Sequence, residues 1–237
     1  MSQRTNSLGQ PIGEPVPNWS PRPRPPRTPM DGRLCRLEAL DAATHTAALH
    51  EAHSADTEGR NWTYLPYGPF DTAADYGAWI ESVQALDDPV FYAIVDVATG
   101  RPVGVASYLR IDPAMGTIEV GHLCYSPALQ RTPASTEAMY LMMRRAFEEL
   151  GYRRYEWKCD SFNAPSLRAA ERLGFRYEGT FRKAVVMKGR NRDNAWLSVV
   201  AGEWPALRAA LEAWLDPSNF DEAGAQRRRL GEFMTEA

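Results

Sequence analysis

The spacing of apolar residues changes halfway along the chain, and this change restricts the folds that are open to it. The residues before the change form three β-rich runs with short turns between them, at 90–97, 103–111 and 117–125. Such runs indicate antiparallel strands in a meander. Residues 132–150 then repeat apolar side chains at helical spacing, and residues 154–159 alternate apolar with charged side chains. A strand, a helix and a strand within about 40 residues form a βαβ crossover, whose two strands run parallel.

The crossover helix carries signals at both ends. Thr132 is a typical N-cap and Pro133 suits the first helical position, whereas Gly151 lies where the helix should end. Asp71 is the expected cap of an earlier helix over 72–86. Other elements are expected as helices at 42–55, 164–173 and 205–215 and as strands near 34, at 177–186 and at 195–200. We therefore expect an α+β fold in which a mixed, mostly antiparallel sheet contains one parallel crossover and is flanked by helices.

Composition divides the chain into three regions. Residues 1–32 are predicted to be a Pro/Arg-rich extension, residues 33–216 a globular domain and residues 217–237 a charged tail. Five arginines against two acidic residues leave residues 1–33 at a net charge of +3, and the prolines favour an extended backbone. The extension is a solvated tail, a basic arm that grips a partner, or a strap along its own domain or along the second subunit of a homodimer. Three apolar anchors favour the strap, namely Ile12, Val16 and Trp19.

Composition also excludes several classes of protein. With a formal net charge of −3 and no run of 18 apolar residues, we expect no membrane-spanning helix and no surface built throughout for nucleic acid. The first thirty residues lack the apolar run of a secretory signal. Three cysteines without CxxC spacing indicate reduced, semi-buried thiols and a cytoplasmic protein: Cys35, Cys124 and Cys159. Three histidines on one helix, one residue short of HExxH spacing, indicate a solvated helix face and no metal site: His45, His50 and His53.

The junction between the third β-rich run and the crossover helix is the expected ligand site. Ligands of such sheets collect at the carboxyl ends of strands, and anions collect at helix N-termini. Both rules point to residues 123–132. Free amides at the helix start, with Gln130 and Arg131 beside them, predict a cradle for a pyrophosphate group. The alternative is a polar loop with only a structural role.

Two segments around this junction carry a family resemblance. The first reads EVGHL at 119–123 and QRTPASTEAM at 130–139. The second reads NAPS at 163–166, RAAERLGF at 168–175 and EG at 178–179. Together with the order of elements over roughly 33–215, they resemble the GCN5-related N-acetyltransferase superfamily. The second segment is similar to the signature of the branch that contains the ribosomal-protein-alanine N-acetyltransferases.

The resemblance implies acetyl-CoA as the cosubstrate, held where the two parallel strands splay apart. Its pantetheine would pair with backbone in the gap, its pyrophosphate would lie at the start of the helix, and its thiol end would contact the next helix. Pro133 replaces a glycine of the family's loop and removes one N–H, so we expect a modified cradle. The residues implied are Leu123, Cys124, Tyr125, Gln130, Arg131, Thr132, Ala134, Ser135, Thr136, Asn163 and Ser166.

The resemblance also implies direct acetyl transfer to a primary amine, which requires a base for the ammonium proton. Glu119 matches the family's strand glutamate, and His122 is its rival because the ordinary pKa of histidine, about 6.5, suits the task. Strict alternation puts the two on opposite faces, but Gly121 allows a bulge that would reorient one of them. A purely structural role is open for each. Ser166 or a water is the expected acid, because Ala170 replaces a tyrosine found in many members. No cysteine has a histidine-activated context, so we expect no covalent intermediate.

The nature of the acceptor is less constrained. The resemblance implies that loop 61–70 walls the acceptor site with Trp62, Tyr64, Tyr67 and Phe70, and a hydrophobic plug is the alternative. The charged turn at 188–193 contacts the acceptor, a neighbouring subunit or only solvent. We favour a small amine or an amino-acid derivative as acceptor, with the N-terminus of a protein such as a ribosomal protein as the alternative. A catalytically degenerate acetyltransferase fold that acts as a binding module is the hypothesis from a different class.

Overall fold

The computed structural model describes residues 4–235, so the outermost residues of the expected extension and tail, 1–3 and 236–237, lie outside the described residues. The strands are β1 (Arg4–Thr5), β2 (Pro11–Ile12), β3 (Met30–Asp31), β4 (Cys35–Ala39), β5 (Val90–Asp96), β6 (Pro102–Asp112), β7 (Thr117–Tyr125), β8 (Arg154–Asp160), β9 (Arg176–Met187) and β10 (Arg190–Val200). The helices are α1 (Ala42–Ser54), α2 (Ala73–Val83), α3 (Pro133–Arg144), α4 (Ala164–Arg172), α5 (Trp204–Leu215) and α6 (Leu230–Met234). Shorter turns are the 3-10 turns Arg60–Trp62 and Pro217–Asn219 and the π-helical turn Arg145–Glu149, which continues α3.

Eight of the described strands form one mixed sheet, in the order β3-β4-β5-β6-β7-β8-β10-β9. Every neighbouring pair in it is antiparallel except β7 and β8, which run parallel and are joined through α3. The predicted fold class is therefore confirmed. No helix among residues 4–235 is long and apolar enough to cross a membrane.

Helices cover both faces of the sheet because its central strands are apolar on both sides. Along β5, Tyr92 and Ile94 belong to a core shared with α3 and α5, whereas Phe91 and Ala93 belong to a second core beneath α1 and α2. Successive side chains of a strand point to opposite faces, so these two cores lie on opposite sides of the sheet. The face beneath α1 and α2 is called the α1/α2 face below.

Side-chain caps account for where the helices begin. The Thr132 hydroxyl accepts from the Ser135 amide and Pro133 occupies the first helical position, so the predicted start of α3 is confirmed. The predicted cap of α2 is wrong by one residue. The N-cap is Thr72, which has an extended backbone and whose hydroxyl accepts from the Asp75 amide at 3.1 Å.

The N-terminal segment packs through its polar groups and Trp19. The Trp19 indole donates to the Ala114 carbonyl at 2.7 Å. Arg27 donates to two carbonyls at the end of α2, at 2.5 and 2.6 Å. Ile12 and Val16, which we expected to be anchors, are each 49% exposed, so that expectation is wrong for them. A strap rich in proline donates few backbone hydrogen bonds, and its contacts here use carbonyls and guanidinium groups instead.

A buried arginine holds the same strap from the other side. Arg145, only 4% exposed, donates to the carbonyls of Thr28 and Pro29 at 2.7 and 2.8 Å. The next residues, Met30–Asp31, form the edge strand β3 of the sheet. The C-terminal region is also attached to the domain, because Leu230 is buried in the core beneath α3 and α5.

Candidate active site

The parallel strands β7 and β8 separate part-way along their length. They pair from Thr117 and Arg154 as far as Val120 and Trp157, and beyond that point both strands continue without pairing to each other. The splay implied by the sequence resemblance is therefore present. It leaves a length of strand backbone that an extended ligand can use for hydrogen bonds.

A β-bulge lies at the beginning of this gap. The register between β6 and β7 slips at His122, where two β7 residues stand opposite one β6 residue, and His122 has a φ of +52°. Without the slip, His122 and Glu119 would face opposite sides of the sheet. With it, the His122 ring lies 5.1 Å from that of Phe91, on the α1/α2 face. The bulge thus brings both candidate bases to one side.

Glu119 is buried in a network of ion pairs. Arg110 Nη1 lies 2.8 Å from both of its carboxylate oxygens, and Lys158 Nζ lies 2.9 Å from Oε2. Lys158 also pairs with Glu156 at 2.8 Å, and Arg154 pairs with Glu156 at 2.6 Å. Burial raises the pKa of Glu119 above its ordinary value, and the charges of Lys158 and Arg110 offset part of that rise. Both oxygens of this carboxylate are occupied.

His122 has a different environment. Its ring stacks on that of Tyr67 with centroids 5.5 Å apart, and its buried Nδ1 has no hydrogen-bond partner in the described part of the chain. Burial, and then the charges of Arg110 and Arg192, lower the pKa of His122 to about 4. The imidazole is therefore neutral at pH 7, and it is a weaker base than that of an ordinary histidine.

The start of α3 offers fewer amides than an ordinary helix. Pro133 has no N–H, the Thr132 amide donates to the Leu129 carbonyl, and the Ser135 amide donates to the Thr132 hydroxyl. The Ala134 amide has no partner in the part of the chain that the structure describes.

One carbonyl in the expected pantetheine site is already in use. The Tyr125 carbonyl accepts from Asn61 Nδ2 at 3.1 Å and from Gln130 Nε2 at 2.8 Å. Asn61 Oδ1 in turn accepts from Gln130. Asn61 is a residue that our sequence analysis did not assign to the cofactor site, and no motif marked it.

The residues expected at the thiol end of the cofactor begin α4. Asn163 caps this helix by accepting from the Ser166 amide at 3.2 Å. The Ser166 hydroxyl accepts from the Trp157 indole at 2.9 Å. Ala170 is fully buried, so it brings no proton donor to the gap. Trp157 is the last β8 residue paired with β7, and this hydrogen bond places the Ser166 hydroxyl beside the splay.

The aromatic loop at 61–70 divides into two parts. Trp62 and Phe70 pack with Tyr76 in the core of the α1/α2 face, as the plug alternative described. Tyr67 lies on His122, and the Tyr64 hydroxyl donates to the Phe162 carbonyl at 3.2 Å, just beyond β8.

The charged turn between β9 and β10 fastens this loop. Lys188 Nζ donates to the carbonyls of Trp62, Tyr67 and Gly68 at 2.9, 3.2 and 2.8 Å. Burial lowers the pKa of Lys188. The turn therefore contacts the implied acceptor wall within the same chain.

A cleft of about 500 Å³ opens on the same face as Glu119. Its lining includes three carboxylates, two cations and an indole, from Asp88, Asp112, Glu156, Arg110, Lys158 and Trp196. From the sequence, the charged positions of β8 were interpreted only as evidence of a strand. The alternation of apolar and charged residues along β8 was the sequence signal for these cleft residues, since it puts the charged side chains on one face of the sheet. On that face the Lys158 side chain is only 5% exposed, and its Nζ lies 3.5 Å from the Trp196 ring centroid.

One expectation about the histidines is wrong, and one cysteine has a histidine beside it without being activated. Cys124 Sγ lies 3.8 Å from His53 Nδ1, so one cysteine does have a histidine neighbour. Burial raises the pKa of Cys124 and lowers the pKa of His53 to about 4, so the pair consists of a thiol and a neutral imidazole, not a reactive thiolate. His45 and His53 are buried rather than on a solvated face. Residues 4–235 contain no group of three or more His, Cys, Asp or Glu residues arranged to hold a metal ion.

A mixed sheet that opens at its one parallel pair, with a capped helix start at the opening, is the architecture of acyl-CoA N-acyltransferases. The chain belongs to the GNAT acetyltransferase family, because the model of the acetyltransferase (GNAT) domain matches residues 35–176. Members of this family are N-acetyltransferases that use acetyl-CoA, so the predicted family and class of enzyme are confirmed.

Individual relatives agree with this assignment. A GCN5-related N-acetyltransferase from Brucella melitensis is 48% identical, with a TM-score of 0.91 over 93% of this chain and 100% of that chain. The SPbeta prophage-derived uncharacterized N-acetyltransferase YokL of Bacillus subtilis is 29% identical over 53% of this chain and 70% of its own length. RimL, a ribosomal L7/L12 alpha-N-protein acetyltransferase, is 19% identical with a TM-score of 0.63 over 73% of this chain and 94% of that chain, and so shares the fold alone.

Proposed function

We propose that this chain transfers the acetyl group of acetyl-CoA to a primary amine bound on the α1/α2 face, next to Glu119 and His122. The observation that supports the proposal most directly is the separation of β7 from β8 beyond Val120 and Trp157. Its backbone at Leu123 and Cys124 would hold the pantetheine arm, while the Tyr125 carbonyl is already satisfied by Asn61 and Gln130.

The residues at the start of α3 fit a phosphate group, although they offer it fewer free amides than an ordinary helix start. The Ala134 amide and the side chain of Arg131 would face it. Arg172 adds a second cation, since its guanidinium donates to the Thr136 hydroxyl at 3.0 Å and pairs with no carboxylate among the described residues. Guanidinium groups match phosphate oxygens in geometry as well as charge. These contacts would compensate for the N–H that Pro133 lacks.

Bound acetyl-CoA supplies a thioester whose carbonyl carbon an amine can attack. The chain itself must remove the proton of the acceptor ammonium, and His122 is the candidate because its imidazole is neutral and its Nδ1 has no partner among residues 4–235. Glu119 would act differently, by holding Arg110 and Lys158 in place through both carboxylate oxygens. The Ser166 hydroxyl would donate a proton to the departing thiolate.

Two kinds of acceptor fit the cleft. Its volume of about 500 Å³ is in the range of small-molecule sites. Lys188 holds the aromatic loop, whose Tyr67 lies on His122. We therefore favour a small amine or an amino-acid derivative. The N-terminus of a protein is the second candidate, supported by the extent of the cleft along the sheet from Thr117 to Trp196.

Titration calorimetry with acetyl-CoA tests the proposal, with CoA as a second ligand and ATP as an unrelated nucleotide. We expect micromolar affinity for acetyl-CoA, about 10-fold weaker in Arg172→Met because a charge-assisted hydrogen bond is lost. Arg168→Met, an exposed arginine on the same helix, is the matched control and should bind as the parent chain does. Absence of binding at millimolar acetyl-CoA would refute the proposal and favour the degenerate binding module.

A further inference from the structure

The described cations on the cleft side of the sheet are mostly paired with carboxylates. The pairs alternate in sign along the face and join Arg110, Glu119, Lys158, Glu156, Arg154 and Glu178 at 2.5–2.9 Å. Charges arranged in this way satisfy one another, and they leave no net charge for a ligand. A ligand carboxylate must therefore find its counter-ion elsewhere, since the remaining charged residues of the cleft lining, Asp88 and Asp112, are acidic.

Arg192 differs from these cations in having only neutral partners. Its Nε donates to the Asn194 side-chain oxygen at 2.6 Å, and its Nη1 lies 3.4 Å from the Tyr64 carbonyl and 3.5 Å from Met187 Sδ. The structure describes no partner for Nη2 and no carboxylate within salt-bridge distance of Arg192 in residues 4–235. Burial lowers the pKa of Arg192, and the charges of Asp160 and Glu119, which lie beyond salt-bridge distance, offset only part of that effect.

The position of Arg192 suits contact with the acceptor. Asn194, two residues further along β10, pairs with Asp160 at the end of β8, so Arg192 lies beyond that end, at the mouth of the gap between β7 and β8. Its contact with Tyr64 connects it to the aromatic loop. It is also close enough to His122 for its charge to contribute to the low pKa of that residue.

We infer that Arg192 binds a carboxylate of the acceptor, so that the acceptor is an amine with a carboxylate close to it, as in a free α-amino acid. The inference rests on the proposed function, because it concerns the acceptor of the same site. The Nη2 of this planar guanidinium has no partner among the described residues and can donate to a carboxylate oxygen, and the ion pair would give a half-buried cation a direct counter-ion. The N-terminal residue of a long polypeptide has no such carboxylate beside its amine.

Binding of this carboxylate would also affect the base. The charged groups that face His122 are Arg110 from β6, Arg192 from β10 and Asp88 from the turn before β5. Neutralising Arg192 removes one of the two cations that lower the pKa of His122. The imidazole would thus become a stronger base when an acceptor with a carboxylate is bound.

Matched acceptors test the inference. Each of the common α-amino acids is compared with its carboxamide and with the corresponding decarboxylated amine, and acetylated product is measured by mass spectrometry. We expect kcat/KM to be at least 10-fold higher for the best acid than for its carboxamide. Arg192→Met should lower kcat/KM for the acid by about 10- to 100-fold and leave the carboxamide unchanged, and Arg192→Lys should keep part of the preference.

Controls separate this inference from the proposed function. Arg190→Met changes an exposed arginine of the same strand and should behave as the parent chain. Calorimetry with the amino acids and their carboxamides is done on free protein and on CoA-loaded protein, so the carboxylate preference is measured whether or not the donor binds. Equal binding or turnover of acid and carboxamide, or an equal loss of both in Arg192→Met, would overturn the inference.

Discussion

One buried carboxylate of α3, that of Glu137, holds the residues that follow the N-terminal strap. Glu137 accepts three backbone N–H groups from the turn between β3 and β4, those of Arg33, Leu34 and Cys35, at 3.0, 2.6 and 2.8 Å. The substitution Glu137→Ala would remove the acceptor of one buried donor, the Cys35 amide, and of two part-buried donors, the amides of Arg33 and Leu34. We expect a large loss of stability from this single change.

The size of the loss in stability follows from the backbone N–H groups that are left without an acceptor. A buried donor without a partner costs about 1–3 kcal/mol, and adjacent losses do not add fully, so we expect the free energy of unfolding to fall by about 3–4 kcal/mol. For a chain of 237 residues each kcal/mol corresponds to about 2–4 °C, which gives a drop in Tm of about 6–15 °C. Such a loss is a large share of the stability of an ordinary domain.

Thermal and urea unfolding monitored by circular dichroism measure this change. Glu171→Ala is the matched control, since Glu171 is an exposed glutamate on α4, and its Tm should shift by less than 2 °C. Glu137→Gln retains one acceptor oxygen, so its Tm should lie between those of Glu137→Ala and Glu171→Ala. A Tm of Glu137→Ala within 2 °C of the parent chain would show that the three hydrogen bonds do not stabilise the fold as argued.

Three further predictions concern pH, the aromatic loop and the cofactor cradle. His53 has a folded-state pKa of about 4 against an ordinary value of 6.5. The contribution of its neutral ring to stability is therefore complete above pH 6.5 and is lost as the pH falls towards 4. The free energy of urea unfolding should depend less on pH over this range in His53→Phe than in the parent chain. Lys188→Met should raise the KM for the acceptor about 10-fold with acetyl-CoA affinity unchanged, because three loop carbonyls lose their donor; an equal loss of donor affinity in calorimetry would contradict this. Pro133→Ala restores an N–H at the start of α3 and should tighten acetyl-CoA binding by up to about 10-fold; unchanged affinity would mean that this amide does not face the cofactor.

The order of elements was predictable from the sequence because local signals agree with the fold throughout the central region. Residues 117–125 were predicted as a strand and form β7 with those bounds, and Thr132 with Pro133 marked the start of α3. The parallel pairing of β7 with β8 followed from chain connectivity alone, since a helix that links two strands of one sheet makes them parallel. The replacement of a family glycine by Pro133 could also be read from the sequence, because the loss of an N–H is a property of the proline itself.

Tertiary structure decided the chemistry of the individual groups. The side of the sheet that His122 faces depends on a register slip against β6, and the partners of Glu119 come from β6 and β8, so neither is encoded near those residues in the chain. The aromatic loop divided between core and site because Trp62 and Phe70 pack into the core of the α1/α2 face, whereas Tyr67 lies between Trp79 of α2 and His122. Arg192 can be distinguished from the other cations of this face only in the folded structure, where those cations form ion pairs and Arg192, among the described residues, forms none. Sequence spacing specifies elements through local hydrogen bonds and periodicity, whereas pKa values and ion pairs depend on neighbours that only the folded chain brings together.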